Sequence, residues 1–312
     1  YRKAGGEAPR LLVCDREFGT EMIQLAARHG RGLPADVIPM EIDVISGFGH
    51  AEMLAALASG FADVTILLAP TTERDALDSE VPLAQAIAGE EKIKLLDVND
   101  PDAMCEALYA PVDLPQPVED AVLLMGSRRQ VARMAAKALH APDTVLPLPQ
   151  DAPYGAVLVN TDSCTLCLSC VSLCPSGALL ENPDKPQLRF QEDACLQCGL
   201  CANVCPEDAI TLEPRLDLSD AALRQRVMKE EEPYACIECG KPFGVKSAIE
   251  RIVAKLEGQH SMFTNSDNTR LIRMCDDCRV RAQYHDDSAP FRFGERPKLR
   301  TTDDYLNERK KN

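Results

Sequence analysis

The residues most able to do chemistry in this chain are its cysteines. There are 14 among 312 residues, and 12 of them stand in closely spaced groups. Eight of these twelve read Cys164-x2-Cys167-x2-Cys170-x3-Cys174-Pro175 and Cys195-x2-Cys198-x2-Cys201-x3-Cys205-Pro206. Thiolates are soft ligands, the kind that iron–sulfur irons prefer. Two intervening residues let a tight loop aim three sulfurs at one centre. The three-residue step then carries a fourth sulfur, on a short helix, toward a second centre. Proline after that fourth thiol ends the local conformation and removes a backbone donor. Disulfides are disfavoured in a reducing compartment, and two zinc sites would not need the doubled pattern.

The two runs are related by an offset of 31 residues. Residues 156–159 and 187–191 read as short strands ahead of each run, and 176–179 and 207–210 are matching segments after each proline. Over roughly residues 153–214 the sequence resembles the bacterial two-[4Fe-4S] ferredoxin module, an α+β unit. That resemblance implies crosswise ligation, in which the fourth cysteine of each run serves the other cluster. Cluster one would take Cys164, Cys167, Cys170 and Cys205; cluster two would take Cys195, Cys198, Cys201 and Cys174. With every ligand supplied by cysteine, no iron is open to substrate. The module has no histidine, and its carboxylates are scattered. Such centres move single electrons, at potentials set by N–H bonds to sulfur and by burial.

The other four grouped cysteines are Cys236-x2-Cys239-Gly240 and, 35 residues later, Cys275-x2-Cys278. Glycine after the second thiol suits a knuckle whose backbone N–H groups point at sulfur. The set resembles a treble-clef or ribbon zinc site, although the gap is longer than in the simplest four-thiolate pattern. Zinc, a third iron–sulfur cluster and unmetallated thiols are all compatible with it. Around it, 221–228, 247–256 and 279–283 read as helices. The segments Cys239-Gly240-Lys241-Pro242-Phe243 and Met274-Cys275-Asp276-Asp277-Cys278-Arg279 resemble iron–sulfur proteins that accompany bacterial formate dehydrogenases. That likeness implies a protein redox partner of the same kind.

The elements that must position these sites begin with residues 1–150. Apolar runs at 11–14, 37–42, 64–69 and 92–98 alternate with helical patterns at 21–29, 51–59, 82–88 and 104–109. A further strand is expected at 122–126, with a helix at 127–139. Alternation of this kind predicts an α/β domain with a parallel sheet flanked by helices. Gly47-Phe48-Gly49 is only a fragment of a phosphate-binding turn and is not followed by Gly-Lys-Ser/Thr. The stretch Val37-Ile38-Pro39-Met40 with Gly60-Phe61-Ala62-Asp63-Val64 resembles the delta-subunit domain of methyl-viologen-reducing hydrogenase. The cluster cysteines of that domain are lost here, since Glu41 and Pro70 stand near their places. The domain therefore reads as a docking scaffold. Cys14 and Cys105 are isolated in sequence and read as buried free thiols.

Charge divides the chain in the same way. Residues 1–150 carry net −10, residues 151–215 net −6 and residues 216–312 net +1, for −15 in all and a pI near 4.8. Three parts are expected at those limits: the scaffold, the two-cluster module, and a helix with the four-cysteine segment and an extended tail. The acidic balance argues against nucleic acid as partner. No apolar run reaches the roughly 18–20 residues that span a bilayer. No signal peptide is read in the first residues, so a cytoplasmic location is expected, an expectation weakened by the sequence opening on Tyr1 rather than Met. His29, His50, His140, His260 and His285 are scattered and receive no role. Residues 291–312 read as a frayed or docking tail. The reading that fits best is an electron-transfer protein or subunit of an oxidoreductase system, more in keeping with a non-catalytic subunit than an enzyme. The alternatives are an assembly or maturation factor for such an oxidoreductase, and a reductase with a cofactor on the α/β domain.

Overall fold

The computed structural model describes residues 1–6, 8–111, 113, 116–256 and 266–285. The chain forms two compact units. One comprises Tyr1–Cys164, Leu168–Glu181 and Leu188–Met228; the other comprises Thr165–Cys167, Asn182–Gln187 and Lys229–Asn312.

The first unit opens with strands β1 (Arg10–Asp15), β2 (Val37–Ile42), β3 (Asp63–Leu67) and β4 (Ile93–Leu96), interleaved with helices α1 (Phe18–His29), α2 (His50–Ala58), α3 (Asp75–Ala88) and α4 (Pro101–Tyr109). The strands form the expected parallel sheet, in the order β2-β1-β3-β4, with Leu12 opposite both Pro39 and Thr65. Both faces are covered, which is why β1 reads as an unbroken apolar run. Alternate side chains of β1 serve two cores. Leu11 and Val13 pack with Leu54 and Leu57 of α2 and with Leu77 and Ile87 of α3. Leu12 and Cys14 pack with Met22 of α1 and with Met104 and Cys105 of α4. Cys14 and Cys105 are therefore buried thiols, as expected. Burial, reinforced by Asp15 and Glu41, pushes the Cys14 thiol up to about 11.

Within residues 1–150, two local expectations differ from the structure. Helix α3 begins at Asp75, and Pro82, expected near its start, lies inside it. Residues 122–126 form no strand: Leu124 packs on the core while Leu123 and Met125 are exposed, and the Val122 N–H donates to the Ala58 carbonyl at 3.0 Å rather than to a ladder.

Helix α5 (Arg128–Leu139) comes next, opened by a capping box in which Ser127 and Gln130 bond reciprocally. Its Ala132, Ala135 and Ala136 are fully buried in the core shared with α2. That core extends to Ala152, Tyr154, Leu216 and Leu218. Strands β5 (Val145–Pro147), β6 (Gly155–Val159) and β9 (Ile210–Asp217) form an antiparallel sheet in the order β5-β9-β6, with Val157 opposite Leu212. Between β6 and β9 lie the short helices α6 (Ser169–Ser172) and α7 (Leu200–Asn203) and the strands β7 (Leu179–Asn182) and β8 (Lys185–Phe190). The helix expected at 221–228 is instead a 3-10 turn at Asp220–Leu223 followed by strand β10 (Arg226–Glu230), which adds to β8 and β7 in the order β10-β8-β7. Ladder pairing gives a short mixed segment partners that its own helical propensity could not supply.

In the second unit, β11 (Pro233–Ala235) and β12 (Pro242–Val245) pair antiparallel, and Tyr234 meets Phe243 edge to face. Among the described residues the unit also holds helices α8 (Lys246–Leu256), α9 (Ser266–Ile272) and α10 (Asp276–His285), in accord with the helices expected at 247–256 and 279–283. His260 and the tail at 291–312 lie outside the described residues. Among the described residues, no helix is long and apolar enough to cross a membrane.

Candidate metal centres

The 31-residue offset reappears in the backbone. Leu166 and Gln197 both take left-handed φ, at 49° and 54°; so do Leu168 and Gly199, at 60° and 78°, and Gly177 and Asp208, at 66° and 48°. Four of these six are not glycine, and a left-handed L-residue costs about 1–2 kcal/mol. Such strain, held at matching positions of both runs, points to a functional demand on the loop. Left-handed residues in a tight loop can help form a concavity of backbone N–H groups that suits an anionic group. Hydrogen bonds keep the same offset. Asn160 N–H donates to the Ala209 carbonyl and Gln191 N–H to the Ala178 carbonyl, both at 2.8 Å. Cys174 N–H donates to Val171 and Cys205 N–H to Ala202, both at 3.2 Å.

The sulfurs receive donors. Leu179 N–H points at Cys174 Sγ at 3.5 Å, and Ala209 N–H at Cys205 Sγ at 3.3 Å. Burial opposes ionisation of Cys174, yet the N–H groups of Leu179, Ala178 and Ser176 and the Ser176 hydroxyl hold its thiol below the ordinary value. Burial raises Cys195, with Cys174 adding to the effect. Cys201 is pushed up to about 11, first by burial and then by Cys195, with Cys198 and Cys174 contributing. Cys174 thus lies close enough to the second run to act on two of its thiols, although it belongs to the first. Among the predicted ligands, Cys170 and Cys195 are buried, Cys167 and Cys198 exposed, and Cys164, Cys174, Cys201 and Cys205 half-buried.

Other side chains converge on the second run. Gln197 Nε2 donates to Cys195 Sγ at 3.4 Å and to the Ala156 carbonyl at 3.0 Å. Arg129, from α5, donates to three carbonyls: Asp193 at 2.5 Å, Pro153 at 2.6 Å and Cys195 at 2.7 Å. Its guanidinium lies 4.4 Å from the centre of the Tyr154 ring. The Tyr154 hydroxyl is 2.7 Å from His50 Nε2, and His50 Nδ1 is 2.5 Å from Glu80. One turn on, Arg133 donates to the carbonyls of Asp217 and Ser219, each at 2.6 Å. Sequence reasoning missed Arg129, Gln197 and the His50–Tyr154 contact. The available signal was the pair Arg129 and Arg133, four apart on the small-residue face of one helix. At α2, Glu80 accepts the His50 N–H at 2.7 Å and Glu52 the Gly49 N–H at 3.1 Å, so carboxylates already fill the turn at Gly47-Phe48-Gly49.

In the second unit, the sulfurs of Cys236, Cys239, Cys275 and Cys278 all lie within 4.8 Å of one another, with Cys239 and Cys275 3.7 Å apart. The knuckle is built by Gly240, whose N–H donates to the Cys236 carbonyl at 2.9 Å and whose φ is 71°. Cys275 N–H donates to Cys236 Sγ at 3.3 Å. Burial works against the Cys236 thiolate, but N–H groups of Cys239, Cys275 and Glu238 bring it down to about 6. Met274, Phe243 and Leu271 pack around the buried pair Cys236 and Cys275. This arrangement could hold a metal ion.

Residues 163–210 match the family described as a 4Fe-4S dicluster domain. No curated protein matches the chain. The left-handed loops, the N–H groups directed at sulfur and the eight thiols are the donor set such a domain needs, so the residues present fit it. The chain holds an iron–sulfur, ferredoxin-like domain over this segment.

Proposed function

We propose that the chain is an electron-transfer protein or subunit that binds two [4Fe-4S] clusters crosswise. Cys164, Cys167, Cys170 and Cys205 would hold cluster one, and Cys195, Cys198, Cys201 and Cys174 would hold cluster two. When bound, the clusters accept and release one electron at a time. The observation that carries this reading is the doubled loop: the same left-handed positions recur 31 residues apart, around eight thiols that leave no vacant coordination place. The loops supply N–H groups that offset the negative charge of sulfur, and the paired strands β6 and β9 hold the start of the first run beside the end of the second.

Residues 1–150 act as a docking scaffold for this module at 151–215, and residues 216–312 form the metal-stapled segment. The four-sulfur site takes zinc. Zinc–sulfur bonds of about 2.3 Å at tetrahedral angles place sulfurs about 3.8 Å apart. The 3.7 Å between Cys239 and Cys275 suits one ion of this size. A cubane would put four irons between its thiolates and spread them further. The partner is a redox protein, of the formate-dehydrogenase type implied by the C-terminal motifs, and the setting is cytoplasmic.

Cys205→Ser tests the crosswise arrangement. In anaerobically reconstituted protein, the EPR signal altered by Cys205→Ser should be the one altered by Cys167→Ser, and not the one altered by Cys198→Ser. Grouping of Cys205 with Cys198 would contradict the assignment. The wild-type protein should cycle reversibly with dithionite and a dye acceptor. Steady turnover of a small molecule by the isolated chain would contradict a purely electron-carrying role.

A further inference from the structure

The pseudo-two-fold module would give its two clusters matching surroundings if its halves were chemically alike, but two side chains break that equivalence. Gln197 turns an amide N–H to Cys195 Sγ at 3.4 Å. The residue 31 positions earlier is Leu166, a hydrocarbon with nothing to donate. The second difference comes from outside the repeat. Arg129 reaches from α5 and donates to the carbonyl of Cys195 itself at 2.7 Å.

Arg129 brings a full positive charge. Among the described residues it makes no ion pair; its three bonds all go to carbonyls. The nearby carboxylates are engaged elsewhere. Asp193 is 3.4 Å from Arg133, and Glu192 is bonded to Arg215 at 2.7 and 2.8 Å. The Tyr154 ring beneath the guanidinium, tied through His50 to Glu80, holds Arg129 in place. Reduction adds one negative charge to a cluster. A half-buried cation and an extra donor to sulfur stabilise the reduced form more than the oxidised one.

We propose that Arg129 and Gln197 raise the reduction potential of the cluster held by Cys195, Cys198, Cys201 and Cys174, so that an electron delivered to the module rests there before it leaves. This rests on the two-cluster reading above. It gives the scaffold domain a part in electron transfer, since a residue of α5 sets which cluster holds the charge. One electron from the donor protein enters, and the same electron leaves to the acceptor.

The test is a potentiometric dithionite titration of the anaerobic holoprotein, monitored by EPR, for wild type, Arg129→Gln, Arg129→Lys and Gln197→Leu. Iron content is measured for each protein. Wild type should show two reduction steps. Arg129→Gln should make one step at least tenfold less favourable, a shift of about 59 mV or more for one electron, and leave the other in place. Gln197→Leu should move the same step in the same direction, and Arg129→Lys should restore most of the loss. Should Arg129→Gln fail to fold, Arg129→Lys and Gln197→Leu still decide. Unchanged potentials in Arg129→Gln and Gln197→Leu proteins with full iron content would overturn the proposal, as would equal shifts of both steps. A wild-type protein with a single step and about four irons would overturn the two-cluster reading itself.

Discussion

Glu192 opens the second cysteine run, and its removal should be felt through the whole first unit. Its side chain is only 7% exposed and receives Arg215 through two bonds, at 2.7 and 2.8 Å, with Arg226 at 3.6 Å. Its carbonyl accepts the Cys195 N–H at 2.9 Å. Glu192→Ala leaves the Arg215 guanidinium, 19% exposed, with only the long contact to Glu213 at 3.4 Å. Breaking a buried pair from one side costs about 3–5 kcal/mol. Arg215 keeps some water and some help from Glu213, so the lower end applies, about 3 kcal/mol. For a unit of roughly 200 residues this corresponds to a fall in Tm of about 6–12 °C. The assay is anaerobic calorimetry of reconstituted protein at one fixed scan rate. Asp220→Ala is the control, since that carboxylate is 74% exposed in its pair with Lys137 and its loss should scarcely move the transition. If Glu192→Ala melted with Asp220→Ala, the buried pair would not be a structural clamp.

Gly155→Ala should lower the same reduction step as Gln197→Leu. A Cβ there would stand 2.6 Å from the Gln197 amide and 2.4 Å from the Glu213 carbonyl, so titration with EPR should find that step shifted and calorimetry a lower Tm. Glu80 is held down to about 2 by its hydrogen bond to His50, overcoming burial, so it stabilises the fold above the ordinary carboxylate value of 4.5 and loses that effect as pH falls from 4.5 toward 2. The Tm gap between wild type and Glu80→Gln should therefore stay constant from pH 8 to 5 and narrow below that; a gap that widens in acid would contradict this. Withdrawing the metal from the four-sulfur site with a chelator should remove amide-exchange protection around Cys236 and Cys275 while the iron–sulfur absorbance holds. Bleaching in step with the loss of protection would place iron there instead.

The parallel sheet was legible because its central strands β1 and β3 are buried on both faces and so read as apolar runs, with helices between the strands to cover them. The cysteine loops were legible because metal ligation constrains short spacings, and the offset of 31 residues repeats that constraint. What escaped notice depended on distant partners. The run at 226–230 becomes a strand only because β8 offers it an edge. Arg129 lies 66 positions from Cys195; its spacing with Arg133 could mark it as turning inward while Arg128 pairs with Glu52, but nothing local names the carbonyl it reaches. His50 meets Tyr154 across 104 positions. Contacts of this length arise from packing, here the close approach of α5 to α2 through Ala132, Ala135 and Ala136.

The central claim is that eight thiols hold two cubanes and a separate four-thiol knuckle holds one zinc. Anaerobic iron, sulfide and zinc analysis, with EPR of the dithionite-reduced protein, tests it directly. The expected result is about eight irons, eight sulfides and one zinc per chain, with the spectrum of two interacting reduced clusters. About four irons, or about twelve irons and no zinc, would contradict it.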